Sequence, residues 1–89
     1  MAWAIEISGQ AEKTLDKLHK EHAQRILRFL FERLQNLEDP RSIGEALRGS
    51  KLGSFWKYRI GDYRVIAEIH DKVLTIVVVQ IGNRRDIYR

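Results

Sequence analysis

The chain has 89 residues, 44% of them hydrophobic and 31% charged, with no cysteine and a formal net charge of +4. These figures describe an ordinary small globular protein, expected as one domain over residues 1–89, and exclude a disordered tail. The missing cysteines exclude a disulfide framework, a thiolate zinc site and a cysteine nucleophile, and they fit a reducing cytoplasm.

Met1 to Glu6 shows no basic stretch followed by an apolar one, so no signal peptide is expected. Residues 2–7 read as a first strand. Ser8 is a plausible N-cap for a helix carrying Ala11, Leu15 and Leu18 at helical spacing. A second helix is expected from about Glu21 to Leu37, with Ala23, Ile26, Leu27, Leu30, Leu34 and Leu37 as its apolar stripe. Phe29 and Phe31 widen that stripe, which suits either over-coverage of a thin core or a groove for a partner's helix. Asp39-Pro40 ends the helix, and Ser42–Leu47 reads as a short helical turn stopped by Gly49.

After Gly53 the period changes from helical to two. Trp56, Tyr58 and Ile60 alternate with Phe55, Lys57 and Arg59, and Tyr63, Val65, Ala67 and Ile69 alternate with Arg64, Ile66, Glu68 and His70. Gly61-Asp62 between these runs predicts a hairpin with a type II′ turn. His70-Asp71-Lys72 makes a second turn. Val73–Ile81, too short to span a membrane, reads as a central strand covered on both faces. The expected fold is α+β, in the order β-α-α-β-β-β, with an antiparallel sheet and a helical hairpin packed on one face.

Charge is placed unevenly. Residues 1–46 are nearly balanced, whereas residues 47–64 carry Arg48, Lys51, Lys57, Arg59 and Arg64 against Asp62, and residues 84–89 carry Arg84, Arg85 and Arg89 against Asp86. The hairpin register sets Arg59 opposite Arg64 and puts Lys57 on the same face. Like charges directly opposite on a sheet repel, so folding alone does not favour that pair. Two readings fit: a charged solvent face with Glu68 as counterion, or a site for an anion such as polyphosphate. Arg84 leaves the end of the last strand, and Tyr88 near the C-terminus suits stacking on a base or orienting a hydroxyl. His19, His22 and His70 read as surface residues. No phosphate-cradling glycine loop, dinucleotide fingerprint or nucleophile elbow is present, no metal or cofactor is called for, and a two-histidine ribonuclease arrangement cannot be placed.

Ala46-Leu47-Arg48-Gly49, then Trp56-Lys57-Tyr58-Arg59-Ile60-Gly61-Asp62-Tyr63-Arg64-Val65, then Gly82-Asn83-Arg84-Arg85-Asp86-Ile87-Tyr88 follow the helical hairpin in this order. In that order they resemble the RelE/ParE toxin superfamily, and within it the RelE-type ribosome-dependent ribonucleases. The resemblance implies a cytoplasmic toxin that cleaves mRNA in the ribosomal A site. It also implies a neutralising cognate antitoxin, through which the complex binds operator DNA. It assigns Arg64 to the scissile phosphate, Lys57 to catalysis, Arg84 to the leaving oxygen and Tyr88 to substrate orientation. Arg59, Arg48, Lys51 and Arg85 are the expected substrate-binding residues. The chain departs from the pattern at Phe55, where well-studied members carry a second lysine. Two alternatives stand beside this reading: a ParE-like inhibitor of DNA gyrase, and a non-catalytic RNA- or ribosome-binding module.

Overall fold

In a computed structural model, residues 2–47 and 55–87 are described. The elements are β1 (Ala4–Ile7), α1 (Gly9–Lys17), α2 (Lys20–Arg28), β2 (Glu45–Ala46), β3 (Phe55–Ile60), β4 (Tyr63–His70), β5 (Thr75–Asn83) and α3 (Arg84–Ile87). The strands form one sheet in the order β1-β5-β4-β3-β2. As expected, a helical hairpin covers one face. Ala11, Leu15, Ile26, Leu30 and Leu34 pack on Tyr58, Ile60, Val65, Ala67, Ile69, Ile76 and Val78, all buried.

Ser8 caps α1 as the sequence suggests, with its Oγ accepting from the Ala11 amide at 3.1 Å. The same hydroxyl donates to the Val79 carbonyl at 3.1 Å. That carbonyl belongs to a bulge. Ile66 lies opposite Gln80 and Ala67 opposite Val78, so Val79 is the extra residue. One serine thus starts the first helix and supplies a donor to the carbonyl at the irregularity.

Four features differ from the sequence expectations. The second helix does not run uniformly to Leu37: α2 gives way to a widened π turn at Phe29–Arg33 and a 3₁₀ turn at Leu34–Asn36. The wider turn keeps both Leu30 and Leu34 fully buried and lets Phe29 reach the Tyr58 ring, with centroids 5.8 Å apart. Phe31 is left exposed. Instead of one helical turn over Ser42–Leu47, a 3₁₀ turn at Pro40–Ile43 leads into the two-residue edge strand β2. The sheet is mixed, because β1 pairs with β5 in parallel. Finally, Val73 and Leu74 belong to the β4–β5 turn, where Leu74 adopts φ 46°, and β5 is well covered only on its helix side.

Candidate functional site

The β3–β4 hairpin has the expected register. Arg59 lies opposite Arg64, Ile60 opposite Tyr63 and Lys57 opposite Ile66. Gly61 has φ 59° and Asp62 has a negative φ, which is the backbone signature of a type II′ turn. Because side chains alternate along a strand, Lys57, Arg59 and Arg64 share the sheet face turned away from the helices. β5 continues that face: Gly82, without a side chain, is opposite Arg64. The chain then turns into α3, and the Arg84 amide donates to the Asp62 carbonyl at 2.9 Å. Arg84 is therefore tied to the tip of the hairpin that carries Arg59 and Arg64.

Arg64 is the unusual member. It is only 5% exposed, the one charged residue in the buried class among those described. Its Nη1 donates to the carbonyls of Gly61 at 3.1 Å and Tyr63 at 2.9 Å, while Nε is buried with no hydrogen-bond partner. An arginine cannot relieve burial by losing its proton. A buried donor left unsatisfied costs about 1–3 kcal/mol. No carboxylate is paired with this guanidinium among the described residues, and the nearest cross-strand neighbour is another arginine. Glu68, considered as the counterion of this face, pairs with His70 at the far end of β4.

Lys57 is largely covered, its side chain 14% exposed, and Glu45 Oε2 lies 3.5 Å from Nζ. Glu45 stands directly across from Lys57 on β2. Sequence reasoning missed it, since a two-residue strand has no periodicity to detect. It also missed Asn83, whose Oδ1 accepts from the Arg85 amide at 3.2 Å and so shapes the start of α3. Arg84 and Arg85 are exposed, and with Asp62 and Asn83 they line an open, polar depression of about 550 Å³. Arg59 is exposed at the edge of β3. Three expected site residues, Arg48, Lys51 and Tyr88, lie outside the described residues.

The arrangement can hold an anion. A desolvated guanidinium sits beside an exposed arginine, and two residues along the strand a covered lysine pairs with an exposed carboxylate. A cation pair on a sheet face provides fixed positive potential where charge would develop on a phosphoryl group. No group of three or more His, Cys, Asp or Glu among the described residues is placed to hold a metal ion. No described helix is long and apolar enough to cross a membrane.

The model of the ParE toxin of type II toxin–antitoxin systems matches residues 5–88. Toxin RelG of Mycobacterium tuberculosis is 30% identical over 89 residues, covering 100% of this chain and 99% of that protein. Among solved structures, the toxin–antitoxin complex RelBE2 of the same organism superposes with a TM-score of 0.83 at 25% identity, over 94% of this chain and 93% of that one. The archaeal RelE–RelB complex of Pyrococcus horikoshii is similar with a TM-score of 0.75 at 31% identity, over 94% and 97%. Its sheet, its helical hairpin and nearly its whole length are thus shared with these proteins, and the chain belongs to the ParE toxin family of type II toxin–antitoxin systems, within the RelE/ParE superfamily.

Proposed function

We propose that this toxin is an endoribonuclease that enters the ribosomal A site and cleaves mRNA there by attack of a 2′-hydroxyl on the adjacent phosphorus. The observation that carries the proposal is Arg64: a guanidinium 5% exposed, with a buried unpartnered Nε, facing Arg59 across the hairpin. No described carboxylate offsets the charge of this pair, and a phosphate beside it would.

In this scheme Arg64 and Arg59 bind the non-bridging oxygens and stabilise the charge that builds on them. The 2′-oxygen bonds to phosphorus as its proton passes to a base, and the bond to the 5′-oxygen breaks as that oxygen takes a proton from water. The products are a 2′,3′-cyclic phosphate and a 5′-hydroxyl. Lys57 is the candidate base, because arginine stays protonated. Glu45, 3.5 Å from Lys57 Nζ, holds that side chain on the strand face in the resting protein. Arg84 stabilises the leaving oxygen, Arg85 adds a phosphate contact, and Tyr88 orients the nucleotide. Arg48 and Lys51 extend the RNA contacts. The chemistry uses the chain's own cations and no metal.

A ribosomal substrate puts the protein in the cytoplasm. The solved relatives that are toxin–antitoxin complexes support a cognate antitoxin for this chain. Binding of operator DNA through that partner belongs to the proposal and rests on the family resemblance alone.

Primer extension on mRNA in programmed ribosomes tests the reading. The wild-type chain cuts in the A-site codon, and Arg64→Ala lowers the rate at least a hundredfold. An mRNA with a 2′-deoxy nucleotide at the cut position resists cleavage. Efficient cutting of that substrate, or by Arg64→Ala, sinks the scheme.

The match to a family model named for ParE supports a second reading, inhibition of DNA gyrase. It predicts loss of supercoiling activity with translation untouched, and the buried Arg64 has no part in it.

A further inference from the structure

Beside the helix-facing side of the β3–β4 hairpin lie three arginines that the cleavage scheme does not use, Arg25, Arg28 and Arg33. They line an open depression of about 400 Å³ with Phe29 and Glu32, and Arg59 borders it from the edge of β3. Past Gly61 this leads into a hollow of about 110 Å³ between His22, Arg25, Asp62 and Tyr63. Asp62 is shared in turn with the polar depression that holds Arg84 and Arg85. The hollows are neighbours around the hairpin tip, the first two sharing Arg25 and Gly61 and the last two sharing Asp62, and together they outline one track.

Six arginines line the track against two carboxylates, Glu32 and Asp62. Glu32 is engaged by Arg28 at 3.5 Å. All six arginines, unlike Arg64, are exposed to solvent. In the middle of the track the rings of His22 and Tyr63 lie 5.1 Å apart. Arg25 rests against the hairpin tip: a Cβ on Gly61 would come within 3.0 Å of its Nη1. The aliphatic and phenyl side chains along the track, Ile26, Ile60 and Phe29, are packed into or against the core, which leaves little for an apolar helix to grip.

We propose that this track is a second RNA-binding surface, taking the sugar–phosphate backbone of an RNA segment that is not cut. Arginine forks match phosphate oxygens in pairs, and a polyanion with evenly repeated charge can bend round a tip where a rigid helix cannot. The His22 and Tyr63 rings give unpaired bases a stacking surface between the two arginine clusters. Arg59, Arg84 and Arg85 belong to both surfaces, so an RNA held by the α2 arginines is delivered next to Arg64. The inference rests on the reading that the toxin acts on RNA.

The test uses the full chain and a short fluorescent single strand of 2′-O-methyl RNA, which the 2′-hydroxyl chemistry cannot cleave. Arg25→Glu/Arg28→Glu weakens binding at least tenfold and lowers the salt slope by about 1.4, the value for two lost phosphate contacts on a single strand. Lys13→Glu/Lys17→Glu, on exposed α1 positions away from the track, makes the same change in net charge and shifts binding less than about twofold. Arg25→Gln/Arg28→Gln, checked by circular dichroism, covers the case in which charge reversal prevents folding. It also raises the ribosome concentration for half-maximal cleavage about tenfold.

Equal weakening by the α1 and α2 reversals, or by neither, overturns the proposal. So does displacement of the RNA by an equal charge of polyglutamate, which reassigns the track to an acidic protein segment. If Arg64→Ala still cleaves, the nuclease reading falls whatever the track binds. If Arg64→Ala is inactive and both α2 variants match wild type, the track alone is wrong.

Discussion

Tyr58 shows how one side chain joins the sheet to the segment that crosses beneath it. Its ring is almost fully buried between Phe29 and the sheet, and its hydroxyl donates to the Pro40 carbonyl at 2.6 Å. Burial pushes its pKa up to about 12 from an ordinary 10.0. The folded state therefore holds the proton longer than the unfolded state. The associated stability is complete below pH 10 and is lost as pH rises through 12, an effect of about 2–3 kcal/mol. Tyr58→Phe removes this alkaline loss, and chemical denaturation between pH 8 and about 12 reads the difference against wild type. The alternation that put Tyr58 in the core was plain in the sequence; its partner was not, because Pro40 is a backbone acceptor 18 residues away. The same holds for Arg64. Its register opposite Arg59 follows from the Gly61-Asp62 turn, but its burial depends on how the chain packs over that face. Sequence alternation alone gives no measure of that packing.

Between elements, the firmest polar link is the one from the 3₁₀ turn at Pro40–Ile43 to the β4–β5 turn. Arg41 donates through both terminal nitrogens to the Asp71 carboxylate, with Nη1 to Oδ1 at 3.0 Å, and its guanidinium lies 5.9 Å from the centre of the Trp56 ring. The hydrogen-bonded guanidinium holds the Asp71 carboxyl below its ordinary value of 3.8. For a carboxyl lowered in the folded state, the stability is present at neutral pH and disappears as pH falls below that ordinary value. Asp71→Asn should therefore flatten the acid limb of a plot of Tm against pH while leaving the neutral Tm only slightly lower, since the pair is largely solvent-exposed. This link was invisible beforehand. Asp71 read as a turn residue and Arg41 carried no reading, and nothing local couples positions 30 apart. Helices, hairpin and last strand were legible because their periods are long enough to count. β2, at two residues, was not, and Glu45 went unnoticed with it.

At the scale of the whole molecule, stability rests on one layer of helix against one sheet face. Leu30 sits at its centre, fully buried where α2 widens into the π turn. Leu30→Ala should cost about 2–5 kcal/mol in urea denaturation, a large share of what a chain this size has to spare. The order of strands then constrains how the molecule is made. β1, the first of these strands in chain order, pairs among the described residues only with β5, through Ala4–Thr75 to Ile7–Val78, so its partner is translated some seventy positions later. The hairpin bearing Arg59 and Arg64 closes locally, whereas the N-terminal strand has to wait for a distant one, which is the slow kind of contact in folding. A nascent chain halted before β5 would thus present a finished basic hairpin on an unfinished sheet.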